Sequence, residues 1–117
     1  MSQGMIQYVL VRGDLRKSWP LGAIIAQACH ACTAIIFQHK DDENVIKYTS
    51  DIDNMHKCVL EIKSEEQMKN LSQTLIENGV DHKLWVEQPE NFPTCIAVKP
   101  YPKADIQKYF KKYNLLK

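Results

Sequence analysis

Residues 8–31, YVLVRGDLRKSWPLGAIIAQACHA, decide the fold of this 117-residue chain. The run opens on a strand over residues 7–11, nearly all apolar, as expected of a central strand covered on both faces. A charged turn follows, carrying Arg12, Asp14, Arg16 and Lys17. Pro20 then suits the first turn of a helix, where its missing N–H costs nothing. Beyond it Ile24, Ala28, Ala31, Ile35 and Ile36 recur at spacings of three and four, which predicts a helix with one buried face running to about residue 38. That helix presents Gln27 and His30 three residues apart. A strand that empties into a charged turn and a helix N-terminus is where α/β proteins commonly build their sites. Polar groups here stand at the mouth of a cleft.

Working outward, Asp41, Asp42 and Glu43 start a short second helix through residue 48, with a loop over 49–54. KCVLEI at 57–62 reads as a second strand. Ser64 opens a third helix with Gln67 three residues on, the spacing of a capping box. Met68, Leu71, Leu75 and Ile76 give that helix its apolar stripe, and Asn78-Gly79 ends it. HKLWVE at 82–87 is a third strand. A proline-bearing loop at 88–93 leads to a fourth strand at 94–99. A last helix, 103–112, is expected to bury Ile106, Tyr109 and Phe110. Strand–helix–strand crossovers in this order predict an α/β three-layer sandwich: a four-stranded mixed sheet with helices on both faces.

No linker, repeat or low-complexity stretch divides the sequence, so residues 1–117 read as a single domain. No apolar run is read as a membrane span, the longest lying within a helical pattern around residues 31–37, so no membrane partner is expected. The N-terminus goes directly into a strand without a charged leader, and the four cysteines are expected to be reduced thiols in the cytoplasm. The net charge of +1 conceals a marked asymmetry. Residues 1–39 carry three basic and one acidic side chain, and residues 40–98 carry six and twelve. Residues 99–117 carry six lysines and a single aspartate. If the C-terminal segment folds beside the first turn, a positive face results. The plainer alternative is a solvated lysine-rich helix.

The set V-L-V-R-x-D-L, then G-x-x-x-A-Q-x-x-H-A, then a helix ending N-G-V and a last strand closed by proline resembles the type II peptidyl-tRNA hydrolases. The resemblance runs in order through nearly the whole chain. The segments LWVEQPEN and PTCIAVKPYPK resemble a divergent branch of that family more closely still. The resemblance implies a four-stranded mixed sheet between helix layers, a tRNA-facing basic surface, and hydrolysis of the ester joining a peptide to tRNA, a reaction of translation. Arg12, Asp14 and Leu15 match the family's first turn, Gly22, Ala26, Gln27, His30 and Ala31 its first helix, and Thr94 and Pro100 its last strand. Ala23 stands where the family usually carries lysine, and EQPENFP replaces its longer loop before the last strand. The alternative reading is a catalytically impaired relative that binds tRNA or a protein partner.

Ester hydrolysis needs a positioned water, a base for its proton, and donors for the developing oxyanion. Asp14, His30 and Glu87 are the candidate bases, and Gln27 and Thr94 could orient water or donate to the oxyanion. Each has a plainer alternative: a turn residue bonding its own backbone for Asp14, a packed histidine for His30, edge polarity for Glu87. Arg12, Arg16, Lys17, Lys99 and Lys103 are the residues expected near RNA phosphates, and Trp19 and Trp85 could stack on bases. Cys29 and Cys32 form a C-x-x-C, but mid-helix, whereas a redox pair normally sits at a helix N-terminus. Cys58 and Cys95 are isolated on separate strands, so no metal is assigned, and no cofactor is expected. A homodimer is possible; the sequence names no protein partner.

Overall fold

The computed structural model describes residues 4–117. β1 (Met5–Arg12) is buried along its whole length and lies at the centre of the sheet. It pairs in parallel with β2 (Lys57–Ile62) and antiparallel with β4 (Phe92–Val98), which in turn pairs antiparallel with β3 (His82–Glu87). The order is β2-β1-β4-β3. A two-residue strand the sequence did not announce, β5 (Tyr101–Pro102), pairs with the start of β1.

Alternation along β1 divides the core in two. Val9 and Val11, with Cys95 and Ala97 of β4, pack under α1 (Leu21–Gln38) through Ile24, Ala31 and Ile35. Ile6, Tyr8 and Leu10, with Leu60, Ile62, Ile96 and Val98, pack under α3 (Glu65–Glu77) through Met68, Leu71 and Leu75. Phe110 completes that layer, its ring stacked on Tyr8 at 4.4 Å. The three-layer α/β architecture is the one expected. Each fully buried Leu or Ile contributes roughly 1.5–3 kcal/mol, which is why a central strand of this composition dictates two covering layers.

Local signals act where the residues suggest. Ser64 caps α3 by accepting from the Gln67 N–H at 3.2 Å, while the Gln67 side chain accepts from the Lys63 N–H at 3.2 Å. At the other end Val80 N–H reaches Leu75 C=O and Gly79 N–H reaches Ile76 C=O, with Gly79 at φ +69. These are the two bonds of a Schellman stop, which needs a left-handed residue there. Asp42 caps α2 (Glu43–Ser50), accepting from the Asn44 and Val45 N–H groups.

Two expectations need correction. The last helix does not run over 103–112: α4 (Lys103–Ile106) gives way to a 3-10 turn, Gln107–Tyr109. Ile106 and Phe110 both anchor in the core, and the chain then turns to lie along the free edge of β2. Glu61 N–H bonds Asn114 C=O and Leu116 N–H bonds Val59 C=O, so the C-terminal segment protects an edge that would otherwise be open. The second correction concerns α1. Its 18 residues, mean hydropathy 1.5, are long and apolar enough by length and composition to cross a membrane. Here Ile24, Ala31 and Ile35 pack on the sheet, and Gln27 enters a polar network described below.

Candidate active site

The site lies where β1, β3 and β4 meet the middle of α1. Gln27 faces the sheet because it shares the buried stripe of α1 with Ile24 and Ala31, and it is only 3% exposed. Its amide joins two strands: Oε1 accepts from Thr94 Oγ1 at 2.9 Å, and Nε2 donates to Glu87 Oε2 at 3.3 Å. The other carboxylate oxygen of Glu87 accepts from Trp85 Nε1 at 3.1 Å. His30, one turn along α1, is exposed and stacks on the Trp85 ring at 4.9 Å. Four of the five candidate catalytic residues therefore converge: Gln27, His30, Glu87 and Thr94.

A β-bulge makes this possible. Trp85 pairs with Cys95 and Val86 with Pro93, which leaves Thr94 as the extra residue of β4. Strict alternation would send Thr94 to the face opposite Cys95, toward α3. The bulge instead lets its hydroxyl reach α1, as bulges beside functional sites commonly re-aim a side chain. Pro93, which has no N–H to offer the ladder, sits at the irregularity where none is needed. Trp85 and Glu87, two apart on β3, share the α1 face. The turn after Glu87 is closed by Asn91 N–H to Glu87 C=O at 2.7 Å, with Asn91 in the left-handed region at φ 59.

Glu87 is held below the usual carboxylate range, first by the Trp85 indole N–H, then by the Gln27 amide, with His30 adding to the effect. It is a fixed anion at neutral pH. Asp14 takes another position. It lies in the 3-10 turn Gly13–Lys17 after β1 and accepts a two-point contact from Arg12, Nε to Oδ1 at 3.1 Å and Nη2 to Oδ2 at 2.6 Å. Arg12 also donates to Pro93 C=O at 3.1 Å, approaches Glu65 at 3.7 Å and lies over the Phe92 ring. Asp14 thus braces the strand ends next to Thr94 through Arg12.

The residues expected near phosphates separate into two groups. Arg16 and Lys17 are exposed at the site end of the sheet, where Arg16 donates to the Lys117 carbonyl. Arg12 is turned inward, 8% exposed and already satisfied by carboxylates, as a buried guanidinium must be. Lys99 is likewise buried, donating to Asp42 at 2.7 Å and Asp81 at 2.9 Å. Lys103 is exposed but bonds through its backbone to Gly4, at the start of β1. Because β4 runs antiparallel to β1, Lys99 and Lys103 stand at the end of the sheet remote from Thr94, Lys99 being roughly 17 Å along the strand from it. Neither belongs to the site.

Sequence reasoning missed the role of the Trp85 indole as a donor to Glu87, although their spacing of two on a strand signals a shared face. Burial raises the Cys32 thiol pKa, the opposite of what a C-x-x-C redox pair needs. Among the described residues no three His, Cys, Asp or Glu side chains are grouped to hold a metal ion.

The family model for peptidyl-tRNA hydrolase PTH2 matches residues 5–116. The chain belongs to that family. Proteins described as "Putative peptidyl-tRNA hydrolase PTRHD1" from Homo sapiens and Mus musculus are each 46% identical to it over 118 residues, covering 98% of this chain and 84% of the relative. These matches support the resemblance to the divergent branch. A solved structure of a protein of unknown function from Agrobacterium tumefaciens strain C58 superposes with a TM-score of 0.65, covering 97% of this chain and 98% of that one. At 11% identity it speaks for the fold alone. Within the PTH2 family, then, this chain carries a Thr94–Gln27–Glu87 relay and a buried Arg12–Asp14 brace.

Proposed function

We propose that this PTH2-family chain hydrolyses the ester between a peptide, or an N-acyl-aminoacyl group, and tRNA by direct attack of water. The observation that carries the reading is the hydrogen-bonded relay from buried Thr94 through Gln27 to Glu87, with His30 exposed beside it. Each Glu87 oxygen accepts one bond from within the protein, and a carboxylate oxygen retains a further lone pair for a water or a protonated imidazole. His30 is the candidate base that takes the water's proton. Glu87 then stabilises the imidazolium, as an acidic partner does for histidine in hydrolytic triads. Thr94 is 0% exposed and Gln27 nearly so, which suits them to orienting Glu87. Arg16 and Lys17 are exposed cations at this end, placed to meet tRNA phosphates. The four free cysteines suit a reducing compartment such as the cytoplasm.

A second reading, a tRNA-binding relative without turnover, is favoured by Ala23. It brings only a methyl group to the first turn of α1, where the family usually has lysine. One assay separates the two. Purified protein is incubated with N-acetylated aminoacyl-tRNA and ester cleavage is followed. Turnover above buffer that falls in His30→Ala supports the hydrolase. Retained tRNA binding without turnover replaces it with the second reading.

A further inference from the structure

On the α3 side of the sheet, between that helix and the C-terminal segment, lies a groove of about 640 Å³. This is within the range of small-ligand and cofactor sites, roughly 300–1,000 Å³. Its walls carry Lys63, Lys108, Lys111 and Lys112 against a single carboxylate, Glu61. All four lysines are exposed, and none forms an ion pair with a described residue. Tyr109 and Tyr113 also line it. Both pack on the α3-side core and are partly exposed toward the groove. Each is accompanied by the preceding lysine, Lys108 Nζ 5.3 Å from the Tyr109 ring centre and Lys112 Nζ 5.4 Å from that of Tyr113.

This concentration of positive charge is not a general property of the surface, since residues 40–98 carry twelve acidic and only six basic side chains. Nor is the groove isolated from the candidate site. A neighbouring recess shares Glu61, Tyr113 and Asn114 with it and continues to Lys117, whose carbonyl accepts from Arg16. A basic path therefore leads from the turn after β1 around the edge of β2 to the tyrosine-lined groove.

We infer that this groove binds a segment of the tRNA away from its esterified end, with backbone phosphates on the lysines and an unpaired base against Tyr109 or Tyr113. Two aromatic rings interleaved with cations are the composition of a single-stranded RNA platform, in which stacking and phosphate contact act together. An acidic peptide would use the lysines and leave the ring faces without a role. The inference rests on tRNA being the substrate, and goes beyond it by assigning the place where the body of the RNA is held.

The test uses the full chain, deacylated tRNA and a triple variant, Lys108→Ala, Lys111→Ala and Lys112→Ala. Anisotropy titrations over a salt series should show tRNA binding weakened roughly tenfold, and a log–log salt slope shallower by about two, from three lost phosphate contacts. Cleavage of a short N-acyl-aminoacyl ester of CCA should be unchanged by the same variant. The Tyr109→Leu, Tyr113→Leu pair keeps the apolar packing and should weaken oligouridylate binding at unchanged salt slope. Unaltered tRNA affinity and slope in the triple variant would overturn the assignment. So would a wild-type chain that binds no tRNA, or one whose triple variant loses only polyglutamate peptide. A wild type that cleaves no ester but loses tRNA affinity in the triple variant upholds the groove and defeats the hydrolase reading alone.

Discussion

Thr94 Oγ1 donates to Gln27 Oε1 at 2.9 Å, linking β4 to α1 across 67 residues of sequence. Both groups are buried, so neither can exchange its partner for bulk water at low cost. The bond fixes which way the Gln27 amide faces, and therefore that its N–H points to Glu87. A hydroxyl in a β-bulge thus sets the orientation of a carboxylate two hydrogen bonds away, on the neighbouring strand.

This geometry makes Thr94→Val a test of positioning. It keeps the shape of Thr94 but leaves the Gln27 oxygen unsatisfied, a cost of about 1–3 kcal/mol. Turnover of N-acetyl-aminoacyl-tRNA should fall by about tenfold through misorientation. Glu87→Gln removes the anion itself and should lower kcat by about 100-fold or more with little effect on stability. Equal losses in the two variants would contradict the relay. Because Glu87 is held below the usual carboxylate range, the rate should show no loss from its protonation between pH 5 and 7.

The two classes of basic residue should behave oppositely. Arg12→Lys cannot reproduce the two-point contact with Asp14 and should cost about 2 kcal/mol of stability, read from urea unfolding. Arg16→Ala with Lys17→Ala should leave stability within about 0.5 kcal/mol, as for surface substitutions, and weaken tRNA binding with a shallower salt slope. A salt slope altered by Arg12→Lys alone would show that Arg12 reaches phosphate.

Lys99 pins three parts of the fold at the far end of the sheet: the cap of α2 through Asp42, the turn after α3 through Asp81, and the ring of Tyr101. Burial lowers its pKa, but the hydrogen bonds to Asp42 and Asp81 outweigh this and raise it. Burial likewise raises Asp42, and the bonds from Lys99, Asn44 and Val45 outweigh it and depress the carboxyl. Stability from Asp42 is present above its unfolded value of about 3.9 and is lost as pH falls through its folded value. Stability from Lys99 is complete below its unfolded value of about 10.4 and is lost as pH rises through the higher folded value. Lys99→Met should cost about 2 kcal/mol at pH 7, since it strands two partly exposed carboxylates. It should also flatten the acid limb of the stability profile measured by thermal unfolding.

The thiols should react in order of exposure. Cys29 is exposed, whereas Cys95 is fully buried and its thiol pKa is raised, first by burial and then by Cys32 and Cys29. Ellman's reagent should react with Cys29 in the native protein and with Cys95 only on unfolding. Cys29→Ser should remove the fast phase and leave turnover intact. Loss of activity in the Cys29→Ser, Cys32→Ser double variant would revive the redox reading.

Much of the architecture was legible in the chain itself. The apolar run through Leu10, the three-and-four spacing through Ile24, Ala31 and Ile35, and the Ser64 and Gly79 signals act within one element, so residues 57–62 and 82–87 form the strands expected of them. The end of the last helix was not legible. Whether the chain turns after Ile106 depends on Phe110 reaching Tyr8 and on the edge of β2 accepting the C-terminal segment, contacts some fifty and more residues apart. The candidate site divides the same way. Residue type and the family's motifs singled out Gln27, His30, Glu87 and Thr94, but only the tertiary structure separated Asp14 from them and sent Lys99 and Lys103 to the other end. Local sequence determines backbone periodicity and caps because those bonds close within a few residues. Which cation meets phosphate and which meets a carboxylate depends on strand direction, register and one bulge, and these are settled only when distant segments pack.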